Sequence, residues 1–282
     1  SSNDFKRYTK NREYFLLMHV KKILFFLLFC TFLTGAPART ALYENESYTL
    51  KALFPQEVHQ GDPVFLKLII TLKEKKPDIE VQASMNIRQK DSNKSISSHN
   101  LYLVSQSDSS VVLFAGSPLS TYVKEGEYNI YIEYSAGKEP SMFFTLPLTI
   151  LNKEFIKETL ALNDVNTAIK TDISGQRMNQ IRVLNALLAR KDDSALYSDG
   201  SFILPTTITR RTSYFGDRRT YTYTSGESET SLHYGIDFGT PLDTPVYACG
   251  RGKVVMAELR ISTGWTVVIE HLPGLYSLYY HL

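Results

Sequence analysis

Cysteine is nearly absent: 282 residues hold two, Cys30 and Cys249. Cys30 lies in a segment expected to be removed on export, so one thiol remains and no internal disulfide can form. The protein must then fold by its apolar core alone. A single tryptophan, Trp265, excludes a Cys…Trp…Cys signature. Excess basic charge is also missing. The formal net charge is +2, without the basic stripe that nucleic-acid binding wants, so no nucleic-acid partner is expected. The apolar run Ile23–Leu33 has 11 residues, too few to cross a bilayer of roughly 30 Å as a helix.

That short run fits an export signal instead. Met18 precedes a basic pair, Lys21 and Lys22, then the apolar run, then Ala36-Pro37-Ala38 with small residues where a signal peptidase reads. Residues 1–38 are therefore read as translated upstream sequence plus a signal peptide cleaved after Ala38. They carry six of the 31 Lys/Arg and two of the 29 Asp/Glu. The remainder holds 25 basic and 27 acidic residues, a net charge of −2, so the slight basicity belongs to the export segment.

What is abundant is tyrosine and phenylalanine, 18 and 15 copies, which favour strands. The fold class expected is mainly β. Over 42–151, Val64, Leu66, Leu68 and Ile70 alternate with Phe65, Lys67, Ile69 and Thr71, and Tyr128, Ile130 and Ile132 alternate with Asn129, Tyr131 and Glu133. Turn clusters such as Gly61-Asp62-Pro63 and Asp91-Ser92-Asn93 separate the runs. This predicts an N-terminal β-sandwich, with immunoglobulin-like architecture as a guess. Residues 152–197 change period and predict a helical connector. Ser174 is placed to cap a helix with apolar positions Met178, Ile181, Leu184, Leu187 and Leu188, and with Arg190 and Lys191 in its last turn. Asn152 to Ile169 reads as a shorter helix before it. Residues 198–282 return to short apolar runs broken by Gly and Pro-Gly.

In "HYGIDFGTP", His233 stands four residues before Asp237. Two glycines and a proline argue against a helix there. A fully extended backbone would part the two Cα atoms by about 13 Å, whereas donors around one zinc lie a few Å apart. A shared metal therefore requires a bend, for which Gly235 offers the freedom. On its own the pair fits a plain hydrogen bond as well as a metal site.

The motifs "TSYFGDRR", "HYGIDFGTP", "TPVYACGRGKVV" and "GWTVVIEHLPGLYSLYYHL" follow in order between Thr212 and Leu282. From about Ser201 onward the sequence resembles the zinc endopeptidases of the lysostaphin/LytM type, the M23 peptidase family. The resemblance implies an exported enzyme, periplasmic, in the cell envelope or extracellular, that uses Zn2+ to cleave peptide cross-links of peptidoglycan. It implies His233 and Asp237 as zinc ligands and His281 as a catalytic histidine that does not bind metal. Ser277, Tyr279 and His281 are expected on one strand face. Gly216 and Gly252 read as turns, Cys249 as a small core residue, and His271 as a strand-end residue. The substrate-binding residues and the oligomeric state are not assigned.

The family's third ligand comes from a His-x-His motif, and none occurs here. The C-terminal β domain is accordingly expected to be incomplete, the polypeptide truncated at its C-terminus and inactive as it stands. The alternative is a non-catalytic M23-like regulator that activates other cell-wall hydrolases. Such relatives usually lose zinc ligands, and the presence of His233, Asp237 and His281 favours the enzyme.

Overall fold

The computed structural model describes residues 38–76, 79–137 and 141–282. The expected export signal lies outside the described residues, apart from Ala38, which opens the first strand.

The described residues before the helices form β1 (Ala38–Glu44), β2 (Tyr48–Pro55), β3 (Glu57–His59), β4 (Pro63–Leu72), β5 (Val81–Gln89), β6 (Ser95–Asn100), β7 (Tyr102–Gln106), β8 (Ser110–Pro118), β9 (Gly126–Ala136), β10 (Met142–Leu151) and β11 (Lys157–Ala161). One five-stranded sheet has the order β1-β2-β4-β8-β7, the other β3-β10-β9-β5-β6. Their inner faces share one core. Val64, Leu66, Leu68 and Ile70 of β4 meet Tyr128, Ile130, Ile132 and Tyr134 of β9, all buried. The period-two pattern of both segments appears as one buried face each, because successive strand side chains point to opposite sides. The architecture is thus a β-sandwich within a mainly β protein. The narrower immunoglobulin-like reading rests on sequence alone.

The outer face of β4 is also used. Phe65 stacks on Phe114 at 5.5 Å and on Phe202 at 6.3 Å. Leu272 completes this smaller cluster. Lys67 donates to the Asp199 carbonyl at 3.1 Å. The sandwich therefore packs directly on the C-terminal part.

The connector is helical over α1 (Asp164–Thr171) and α2 (Gly175–Ala189). Ser174 caps α2, its hydroxyl accepting from the Arg177 amide. Leu184, Leu187 and Leu188 pack on Met256 and Val268, which gives the apolar stripe its partner. Met178, at the start of that stripe, is exposed. Two local expectations are corrected. Lys157–Ala161 is not helical: it forms β11, paired in parallel with Arg218–Thr222. "KETLA" contains good helix formers, but a partner strand overrides so weak a preference. Arg190 is not in the last turn of α2 either. It is the C-cap, and its guanidinium pairs at 3.2 Å with Glu270, whose side chain is fully buried.

The C-terminal part holds β12 (Arg211–Ser213), β13 (Arg218–Thr222), β14 (Ser228–Leu232), β15 (Asp237–Phe238), β16 (Lys253–Arg260), β17 (Gly264–Leu272) and β18 (Leu275–Tyr279). They make three small sheets: β11-β13-β14, β12-β15 and β16-β17-β18. Gly252 departs from its expected role. It has no left-handed φ, and a Cβ there would meet the Glu270 carbonyl at 2.7 Å and overlap Ile269. Close approach of β17, not a turn, requires glycine.

Candidate functional site

Two pairings bring His233 to Asp237. The β13–β14 hairpin sets Arg218 opposite Leu232, so His233 leaves β14 beside the turn that enters β13. There the His233 amide donates to the Asp217 carbonyl and the Gly216 amide donates back to the His233 carbonyl, both at 2.8 Å. The second pairing, β12 with β15, sets Ser213 opposite Asp237. Between them the backbone bends at Gly235. The bend does not use left-handed glycine geometry, since Gly235 is absent from the positive-φ residues. A Cβ there would lie 4.0 Å from the His233 ring, an ordinary contact.

The two functional groups converge. His233 Nε2 lies 3.1 Å from Asp237 Oδ1, the histidine mostly buried and the carboxylate half-exposed. On the other ring edge, Nδ1 is 3.0 Å from the Tyr214 carbonyl and 3.1 Å from Ser213 Oγ. A carbonyl only accepts, so Nδ1 carries a proton. In the neutral ring Nε2 is then a bare lone pair facing a carboxylate oxygen. Two acceptors at that distance need a positive centre between them, a proton or a metal ion. Donors of a tetrahedral zinc with bonds of about 2.1 Å lie about 3.4 Å apart. The pair therefore fits as two donors of a divalent ion. Fixing Nδ1–H on a backbone carbonyl is also how a metal-binding histidine is oriented. Among the described residues, no group of three or more His, Cys, Asp or Glu side chains gathers to hold a metal.

Residues that the sequence did not single out support this pair. Asp217, buried at 3% exposure, accepts from the Tyr214 amide at 2.9 Å, the Ile156 amide at 3.1 Å and Ser213 Oγ at 3.3 Å. One carboxylate thus ties the turn to the segment before β11. The register Glu158 opposite Arg219 carries a second support. Arg219 donates to Glu158 at 2.8 Å and to Asp237 Oδ2 at 2.9 Å. Burial alone would lower its pKa, but the hydrogen bonds to Asp237 and Glu158 outweigh it and hold it above the usual value. Arg219 occupies one oxygen of Asp237 and leaves the other aimed at His233. No local sequence pattern announces this role, because the partners lie 61 and 18 residues away.

His281 lies elsewhere. β18 ends at Tyr279, and His281 has a left-handed φ of 59°. It therefore does not share a strand face with Ser277 and Tyr279, which corrects that expectation. Its amide donates to the Thr263 carbonyl at 2.8 Å, and its exposed ring stands edge-on to Tyr280. Among the described residues, no hydrogen bond or ion pair links it to His233 or Asp237.

Residues 231–282, which contain His233, Asp237 and His281, match the model of peptidase family M23. The likeness to the M23 family model spans this C-terminal segment. Peptidoglycan DD-endopeptidase ShyB of Vibrio cholerae serotype O1 is 42% identical over 50 residues, covering 18% of the present sequence and 12% of that relative. Peptidoglycan DD-endopeptidase ShyA of the same organism is 29% identical over 133 residues, covering 47% and 30%. An uncharacterized metalloprotease of Buchnera aphidicola is 35% identical over 54 residues, covering 19% and 14%. The protein thus spans between 12% and 30% of the length of these relatives. In the matched segment, Asp243 has a left-handed φ of 63°, a conformation that aspartate tolerates in turns.

Proposed function

We propose that this protein is part of an exported, zinc-dependent endopeptidase that cleaves peptide cross-links of bacterial peptidoglycan. The observation that carries the reading is the 3.1 Å approach of His233 Nε2 to Asp237 Oδ1 with Nδ1 already committed to a carbonyl. The endopeptidase names of the Vibrio relatives supply the substrate class. The metalloprotease name of the Buchnera relative fits the metal. The export pattern of residues 18–38 agrees with a substrate outside the cytoplasm.

Zinc, when bound, supplies Lewis acidity that polarises a carbonyl and brings the pKa of water to about 7. The protein's own residues supply the rest. His233 and Asp237 are the residues that would hold the ion. Tyr214 and Ser213 keep the His233 ring in the tautomer that leaves Nε2 free. Arg219 fixes the Asp237 carboxylate through Oδ2. The family resemblance alone gives His281 a proton-transfer role, which would require its exposed ring to approach the His233–Asp237 pair.

The test uses the protein as its gene encodes it, incubated with purified peptidoglycan sacculi. Free amino groups and reducing sugar ends are counted together, and the products are read by mass spectrometry. New amino termini with no new reducing ends are expected. New reducing ends alone would replace the peptidase with a glycan hydrolase. No new ends of either kind would favour a regulator of other hydrolases.

A further inference from the structure

A second cluster stands apart from His233 and Asp237. Cys249 Sγ lies 3.8 Å from His271 Nε2. His271 is 1% exposed, and its Nδ1 lies 2.6 Å from the Arg251 carbonyl, which fixes a proton on Nδ1. Nε2 therefore faces the thiol and Ser277 Oγ, the latter at 2.8 Å. Ser277 is joined to the Tyr279 hydroxyl at 3.0 Å, and that hydroxyl accepts from the Cys249 amide at 2.7 Å. Phe202 closes the ring of His271 edge-on at 5.2 Å. The cysteine itself is partly exposed, at the end of an exposed segment containing Leu242, Val246 and Tyr247. A base is thus buried and oriented behind the thiol of a partly exposed residue.

We propose that Cys249 and His271 form an activated thiol, a modification site that exchanges with low-molecular-weight disulfides. His271 Nε2 takes the thiol proton. The Cys249 thiolate attacks one sulfur of the disulfide, a new S–S bond forms, and the original S–S bond breaks. The departing thiolate recovers the proton from His271, so the exchange needs no further oxidant. Burial pushes the Cys249 thiol up, but hydrogen bonds from His271, Tyr279 and Ser277 outweigh it and hold it below the ordinary thiol range. Burial pulls His271 down, and its bonds to Cys249 and the Arg251 carbonyl raise it above the usual imidazole value. Burial also pushes Tyr279 up to about 12, so it stays a hydroxyl. The two directions favour a thiolate beside an imidazolium, the arrangement that makes a cysteine reactive.

The test treats the whole folded protein with oxidised glutathione at pH 6 and follows the Cys249 peptide by mass spectrometry, which separates it from Cys30. The reference is the same peptide in the protein denatured in urea. The folded protein is expected to react at least about threefold faster, a thiolate gain partly offset by lower intrinsic nucleophilicity. His271→Gln is expected to remove that gain. Ser277→Ala, which removes one of the three hydrogen bonds favouring the thiolate, is expected to remove part of that gain and less of it than His271→Gln. A folded-state rate equal to or below the denatured one would overturn the proposal. So would an unchanged rate in a folded His271→Gln protein.

Discussion

Under the proposed function, alanine at His233 is expected to lower peptidoglycan hydrolysis by on the order of a thousandfold or more while the protein stays folded. The substitution removes Nε2, one of the two converging donors, and leaves Asp237 bound to Arg219. Little of the fold depends on that ring. The backbone bonds of His233 to Asp217 and Gly216 survive, and besides the Nε2 contact with Asp237 only the Nδ1 contacts with Tyr214 and Ser213 are lost. A loss of about 1 kcal/mol in stability is therefore expected. Hydrolysis assays and urea unfolding on the same preparation separate the two effects. An activity loss of less than about tenfold in a protein of unchanged stability would remove His233 from the chemistry.

Gly216→Ala is expected to cost about 2–5 kcal/mol and to disturb the site from behind. Its φ is +88°, and a Cβ would overlap the Phe155 ring and come within 3.0 Å of Thr121 Cγ2. The left-handed conformation costs an alanine about 1–2 kcal/mol, and overpacking adds about 1–3 kcal/mol. Phe155 has little room to retreat, because the Arg218 guanidinium lies over its ring at 4.5 Å and over Tyr122 at 4.8 Å. The Gly216 amide also holds the His233 carbonyl, so the shift reaches His233. Gly226→Ala is the control. Its φ is +87° with nothing within 4 Å of a Cβ, so it carries backbone strain alone. Equal losses for the two variants would show that the packing of the sandwich side against the turn does not matter.

The sandwich is legible in the sequence because its strands repeat every two residues, and β4 and β9 bury the faces their patterns mark. The α2 cap is legible for a similar reason: Ser174 acts within three residues of itself. What escapes is set by distant partners. β11 looks helical until Arg218–Thr222 pairs with it. Arg190 looks like a charge at a helix end until buried Glu270 claims it. The same division runs through the candidate site. His233 and Asp237 stand out as a motif, and the bend between them follows from their spacing. Asp217 and Arg219 do not stand out, since their work is done across β-pairings that no local pattern announces. Cys249 and His271, 22 residues apart, look bland singly and chemical only together.

The most direct measurement is zinc K-edge X-ray absorption on the purified natural protein and on its His233→Ala variant. The account predicts bound zinc with a nitrogen and oxygen shell at about 2.0–2.2 Å and imidazole scattering that diminishes in the variant. A protein that retains no zinc would contradict it. So would a sulfur shell at about 2.3 Å, which would place the metal at Cys249.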